Sequence, residues 1–224
     1  MNGLLVEKLV FAYPKSPPVL DGVDLAVNPG EVVCLVGANG AGKSTLLACI
    51  LGFLEPQGGR ILVDGIDRRQ EPKQARARLA FLPESVALWG FLTALEHLRL
   101  FAELTGSSPD PGTALRRVGL PEEAWRRPVA TFSKGMRQKL ALALVTMHQP
   151  AVVLFDEPTS GLDPESAKAM VGLLRSLAAA GTGALVVTHD LWLASQVAHR
   201  WGLLRGGKVV PWEGPGQTAQ LAAL

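Results

Sequence analysis

Gly37-Ala38-Asn39-Gly40-Ala41-Gly42-Lys43-Ser44-Thr45 restricts the fold of this chain more than any other segment. It follows the apolar run Glu31-Val32-Val33-Cys34-Leu35-Val36 and precedes Leu46-Leu47-Ala48-Cys49-Ile50-Leu51. A glycine-rich turn therefore joins a β-branched strand to a helix-forming stretch, and in that setting the spacing GxxxxGK[ST] makes a phosphate-binding loop. The glycines let the backbone curl into a nest of N–H donors, and the helix that follows adds its positive end. Gly37, Asn39, Gly40, Ala41, Gly42 and Thr45 belong to that cradle. Lys43 is expected to reach the β- and γ-phosphates of a nucleoside triphosphate, and the Ser44 hydroxyl to ligate Mg²⁺.

A second segment has the complementary chemistry. Ala151-Val152-Val153-Leu154-Phe155 is an apolar strand that ends abruptly in Asp156-Glu157. Ligand sites lie off the carboxyl ends of parallel strands. Asp156 is thus placed to hold Mg²⁺ through its water shell, and Glu157 to orient and polarise the water that attacks the γ-phosphate.

The rest of the chain reads as an α/β domain. Strands are expected at 3–10, 23–28, 31–36, 58–65 and 79–83, with a helix at 43–53. The turn-rich Pro14-Lys15-Ser16-Pro17-Pro18 separates the first two, and Asp64-Gly65 closes a hairpin. Strands return at Ala151–Phe155 and Ala184–Thr188 around a helix at Pro164–Ala179. Strand–helix alternation at both ends implies a mainly parallel sheet. The region from about 90 to 146 is helical, with a Gly/Pro/Ser-rich break at Thr105–Gly112, and forms an inserted subdomain over roughly 85–148.

Composition narrows the function. At 224 residues and 48% apolar, the chain fills one large domain. Its formal charge of +2 argues against a dedicated nucleic-acid binder. The densest basic stretch, Arg60 to Arg78, carries acids as well and is expected to be a solvated face. Cys34 and Cys49 have no metal or redox spacing and read as buried thiols in a reducing cytoplasm. His97, His148 and His199 have no ligand-like neighbours. The start does not resemble a signal peptide, and no apolar stretch approaches the ~18–20 residues needed to span a bilayer. Membrane-spanning helices, if needed, come from another chain.

Three further segments complete the pattern: Thr131-Phe132-Ser133-Lys134-Gly135-Met136-Arg137-Gln138-Lys139, Asp156-Glu157-Pro158-Thr159-Ser160-Gly161-Leu162-Asp163-Pro164 and Val186-Val187-Thr188-His189-Asp190. With the phosphate loop, in this order, they resemble the motifs of ABC transporter ATP-binding subunits, and the similarity covers nearly the whole chain. The resemblance implies a single ABC ATPase domain over 1–224. Its fold is a P-loop NTPase (RecA-like) core with an N-terminal antiparallel β-subdomain and the inserted helical subdomain. It also implies ATP and Mg²⁺, a second ATP-binding subunit (identical or related), integral membrane transport subunits and a place on the cytoplasmic face of the membrane.

Residue by residue, the resemblance assigns Tyr13 to stacking on adenine, the alternative being a loop tyrosine packed on the sheet edge. Ser133 and Gly135 would meet the γ-phosphate held by the other subunit. His189 would sense that phosphate and hold the attacking water with Glu157. Asp163 would cap a helix beginning at Pro164 and communicate across the dimer.

Two departures stand out. Phe132-Ser133-Lys134-Gly135-Met136 replaces the common Leu-Ser-Gly-Gly-Gln, a variant that resembles export-type systems. Lys134 is expected to point to solvent rather than to the phosphate. Glu84 stands where the family carries Gln and would put a carboxylate beside the metal. Trp89 and Phe91 are either anchors in a groove for a membrane subunit or part of the helical core. A soluble ABC ATPase of cofactor assembly is the competing function. A P-loop kinase would leave Ser133, Gly135, Asp163 and His189 unexplained.

Overall fold

The computed structural model describes residues 3–106 and 110–214. The chain opens with the antiparallel pair β1 (Leu4–Ala12) and β2 (Pro18–Val27), in which Leu4 faces Val27. Both run beyond the expected limits, because Pro18 starts a strand at the sheet edge, where its missing N–H costs nothing. Next come β3 (Val32–Val36), the phosphate loop and α1 (Lys43–Leu51). β4 (Gly58–Val63) and β5 (Ile66–Asp67) form a hairpin through Asp64-Gly65, whose φ angles of 51° and 79° are both positive as the tight two-residue turn demands.

The short helix α2 (Pro72–Ala77) leads to β6 (Leu79–Leu82). The helical stretch contains α3 (Ala94–Thr105), α4 (Pro111–Arg117), 3₁₀ turns at 122–124 and 129–131, and α5 (Lys134–Thr146). Residues 107–109 of the expected break lie outside the described residues. The chain closes with β7 (Val152–Asp156), α6 (Pro164–Ala179), β8 (Gly183–Val187), α7 (Leu191–Val197), β9 (Arg200–Arg205) and β10 (Lys208–Trp212).

Two sheets result. The antiparallel one has the order β2-β1-β4-β5, and the second has the order β10-β9-β3-β8-β7-β6. In the second sheet β9, β3, β8, β7 and β6 pair in parallel and only the β9–β10 hairpin is antiparallel. Side chains alternate across this sheet with the strand period of two. Val33, Leu35, Leu154, Leu185 and Val187 join one core with α1 and the antiparallel sheet. Val32, Cys34, Val153, Phe155, Ala184 and Val186 face a second core with α3, α5 and α6. Burial on both faces explains why these strands are continuous apolar runs rather than alternating ones.

Leu46, Leu47 and Ile50 seat α1 in the first core, each worth roughly 1.5–3 kcal/mol of apolar burial. Cys34 and Cys49 are buried free thiols, with burial pushing them up to about 12 and about 11. The basic stretch is largely ion-paired: Arg60 with Glu7, Arg68 and Arg69 with Glu55, and Arg78 with Asp64. Each lone histidine fastens backbone: His199 Nδ1 accepts from Val32 N–H, His148 Nε2 bonds Leu79 O, and buried His97 bonds Thr93 O and Trp89 N–H.

Candidate ATP-binding and hydrolysis site

The first half of the site sits where β3 gives way to α1. Gly42 caps α1 at φ 103°, where a Cβ would meet Val19 and Leu20 side chains at 3.0 and 3.2 Å. A Cβ on Gly37 would lie 2.8 Å from Leu204 O. Both positions therefore require glycine, one for conformation and both for space. Leu46 N–H is the first of the helix to bond back, to Gly42 O at 2.8 Å, so the N–H groups of the first helical turn remain available to an anion, whereas Ala41 N–H closes a turn on Ala38 O at 3.1 Å. Buried Lys43 folds across the loop and donates to Gly37 O (2.6 Å) and Ala38 O (3.0 Å). Ser44 is exposed on the first turn.

Tyr13 stands beside this loop, packed edge-on against Phe11 and 3.3 Å from Thr45 Oγ1 through its hydroxyl. Tyr13 is 43% exposed beside the phosphate loop.

The second half comes from the carboxyl ends of β7 and β8. Asp156 ends β7 opposite Val187. Half-burial, then the nearby charges of Glu157 and Glu84, push its carboxyl above the usual range, while Lys43 pulls the other way. Glu157 follows at φ 46°, an uncommon backbone for a non-glycine residue and one that turns its side chain toward β8. Its carboxylate accepts from Thr188 Oγ1 at 2.8 Å, His189 N–H at 3.0 Å and His189 Nδ1 at 2.8 Å. The Glu157 side chain is 13% exposed and that of His189 is 70% exposed, so the pair offers one sheltered acid and one imidazole open to solvent. Thr188 escapes a reading based on charge alone, although its place directly before His189 marks it.

No cluster of three or more His, Cys, Asp or Glu side chains forms a metal cage among the described residues. Ser44 and Asp156 offer hard oxygen donors, a set that fits Mg²⁺ completing its shell with phosphate and water. Glu84 lies close enough to Asp156 to raise it, but its Oε1 accepts the Ser160 hydroxyl at 2.8 Å.

Ser133, Gly135 and Asp163 gather elsewhere, at the starts of α5 and α6. Ser133 Oγ caps α5 by accepting Met136 N–H at 3.2 Å. Asp163 caps α6, its Oδ1 accepting Glu165 and Ser166 N–H and its Oδ2 the Ser166 hydroxyl at 2.6 Å. That hydroxyl holds the Asp163 carboxyl below the usual range. A Cβ on Gly135 would collide with Ser166 Oγ, so the two helix starts are in contact. No hydrogen bond or ion pair joins Ser133 or Gly135 to the phosphate loop among the described residues.

Lys134 is exposed, as expected, and does not bond the phosphate loop; its ammonium also donates to Ser160 O at 2.5 Å. Trp89 and Phe91 settle toward the surface, 46% and 76% exposed, although Trp89 also leans on His97 and Phe101. No helix of the described residues is long and apolar enough to cross a membrane.

The sequence profile of the family described as ABC transporter matches residues 20–160, more than half of the chain. An ABC transporter ATP-binding protein of Streptomyces avermitilis is 39% identical over 196 residues, covering 86% of this chain and 35% of its own length. The ABC-type transporter ATP-binding protein EcsA of Bacillus subtilis is 32% identical over 213 residues, covering 93% of this chain and 86% of its own. The chain thus spans about a third of the first relative and most of the second. A solved ATP-binding subunit of an ABC transporter superposes with a TM-score of 0.81 at 33% identity, over 99% of this chain and 93% of its own. A dimeric bacterial ABC transporter cassette does so with a TM-score of 0.81 at 26% identity, over 94% and 98%.

Proposed function

The chain belongs to the ABC transporter family of ATP-binding proteins, and from that premise we propose that it is the ATP-hydrolysing motor subunit of a transporter, of the export type. Two copies, or this chain and a related one, enclose ATP between them and drive separate membrane-spanning subunits from the cytoplasmic face. Elements 85–148 act as the inserted helical subdomain of a single domain.

The observation that carries the reading is the Glu157 carboxylate, held by Thr188 and His189 at the strand ends beside Asp156. In the proposed reaction the loop N–H groups receive the phosphates, and Lys43 partly leaves Gly37 O and Ala38 O for the β- and γ-phosphates. Tyr13 stacks on the base, a contact worth roughly 1–3 kcal/mol in comparable cases. Glu157 accepts a proton from the attacking water, and His189, exposed beside it, holds that water and the γ-phosphate. When bound, Mg²⁺ supplies charge neutralisation on the phosphates, with Ser44 and Asp156 to hold it.

Ser133 and Gly135 present a capped helix start to the phosphate of the partner subunit's nucleotide. ATP then favours the closed pair because its γ-phosphate bonds both halves, and hydrolysis removes that contact. Export is supported by the Phe-Ser-Lys-Gly-Met form of this segment.

The test is steady-state ATPase activity against protein concentration, with Lys43→Ala as the control. Activity should rise more than linearly with chain concentration, and Lys43→Ala should lose nucleotide binding. Strictly linear activity from a monomer would remove the shared site.

A further inference from the structure

The turn after β7 is tied down by two charged side chains that come from opposite sides. Lys134, the first residue of α5, donates to Ser160 O at 2.5 Å. Glu84, in the loop after β6, accepts the Ser160 hydroxyl at 2.8 Å. One serine thereby bridges a cation and an anion, each standing where the family pattern that this chain resembles has a neutral residue.

Space for the lysine is built in. Gly161 has φ 61°, and a Cβ there would lie 2.5 Å from Lys134 Nζ. Two more contacts on the same edge of α5 meet the same segment: Gly135 abuts Ser166, and Gln138 Nε2 donates to Pro158 O at 3.4 Å.

The turn is also continuous with the acid of the active site. Ser160 N–H bonds Glu157 O at 3.0 Å, so a displaced Ser160 shifts the residue that sits at the uncommon φ of 46°. At the other end, Glu84 is near enough to Asp156 to raise its carboxyl. Glu84, Ser160 and Lys134 therefore run from the metal-side carboxylates to the Ser133–Gly135 edge, two parts of the site that no direct hydrogen bond or ion pair joins among the described residues.

We propose that Lys134 is a positioning residue that acts through Ser160, clamped with Glu84, to fix Glu157 for hydrolysis and to link that acid to the Ser133–Gly135 edge of the same chain. The inference rests on the ATPase reading above. Lys134 directs its ammonium to Ser160 O in this arrangement, so it governs turnover rather than affinity.

The experiment measures kcat and KM for ATP in the purified full chain carrying Lys134→Met, Lys134→Arg, Ser160→Ala, or Lys134→Met with Ser160→Ala. Lys134→Met should lower kcat roughly tenfold with KM changed less than about twofold, since small misplacements of a catalytic group cost rate rather than binding. Lys134→Arg, which still donates, should recover most of the loss. The double variant should lose less than the product of the two single effects, because both bonds hold one residue.

Unchanged kcat in Lys134→Met overturns the proposal, as does a rise in KM at constant kcat, which would place the ammonium on phosphate. Failure of Lys134→Arg to recover also overturns it. Should Lys134→Met fold poorly, Lys134→Gln, an uncharged donor, must give an intermediate kcat or the clamp is refuted. A wild-type chain that binds no ATP sinks the ATPase reading itself, and with it the clamp. An active wild type matched by Lys134→Met sinks the clamp alone.

Discussion

Replacing Glu157 by Gln separates the chemistry of this site from its architecture. Gln keeps the length and shape of the side chain. Its carbonyl oxygen can still accept from His189 N–H and Nδ1, the contacts now at 3.0 and 2.8 Å. The new amide then faces Thr188 Oγ1, which accepts Asp190 N–H at 2.9 Å and has a second lone pair to offer. Three charge-assisted bonds become neutral ones, at a cost of about 1 kcal/mol apiece at most. Against that, Asp156 loses one of the charges that raise its carboxyl. These opposing effects leave stability within about 1–2 kcal/mol of wild type, a melting shift of only a few degrees for a chain this size. The reaction loses its proton acceptor, and general-base catalysis contributes about 10²–10⁴-fold. Phosphate release at saturating Mg-ATP should therefore fall by about that factor, while gel filtration with ATP shows a dimer that wild type forms only transiently. If Glu157→Gln hydrolyses ATP at more than about a tenth of the wild-type rate, Glu157 is not the base and the reasoning fails.

Three further outcomes are expected. Gly42→Ala puts a Cβ at φ 103° against Val19 and Leu20, so urea unfolding should show a loss of about 2–4 kcal/mol, together with lost ATP binding. Asp156 has a folded-state pKa above its unfolded one, so the nucleotide-free chain should lose stability as pH rises from the ordinary carboxylate range through the raised value. Mg²⁺ needs the ionised form, so the Mg²⁺ requirement of ATPase activity should increase as pH falls through that same window; Asp156→Asn should flatten the stability profile and abolish Mg²⁺-dependent turnover. Phe91→Ala, at a side chain 76% exposed, should leave the melting curve within about 0.5 kcal/mol of wild type yet reduce co-purification with a membrane subunit from detergent extracts.

Much of the architecture was legible because its signals are local. The glycine spacing of 37–42 and the apolar strands 32–36, 152–156 and 183–187 announce themselves by composition, and Asp163-Pro164 marks the start of α6 to the residue. The β9–β10 hairpin escaped the reading, although Gly206-Gly207 supplies its two positive-φ turn residues. Its strands carry Arg200, Arg205 and Lys208 at their exposed ends, which mask the apolar centre. Helices α2 and α7 are too short for a 3.6-residue period to accumulate. At the site, the bond from exposed Lys134 to Ser160 was not legible because its partner is a backbone carbonyl 26 positions away. Nothing in a sequence marks a carbonyl as an acceptor, and the same holds for Gln138 and Pro158.

The division of the site has a physical consequence. The phosphate loop, Asp156, Glu157 and His189 make one part of the site, with Tyr13 and His189 exposed to solvent beside it. Ser133 and Gly135 form a capped helix start that abuts Ser166, which Asp163 holds. Each lacks what the other holds: an anion bound only by the loop keeps part of its surface in water, and a helix start without an anion leaves its N–H groups hydrated. Because each chain carries one of each, a twofold pairing satisfies both deficits at once and repeats the same contact on both sides of the axis. On the proposed reading, ATP is the missing piece of both copies of that interface. Affinity of the pair should then track the γ-phosphate rather than the buried protein area, so ADP should bind a single chain while failing to join two.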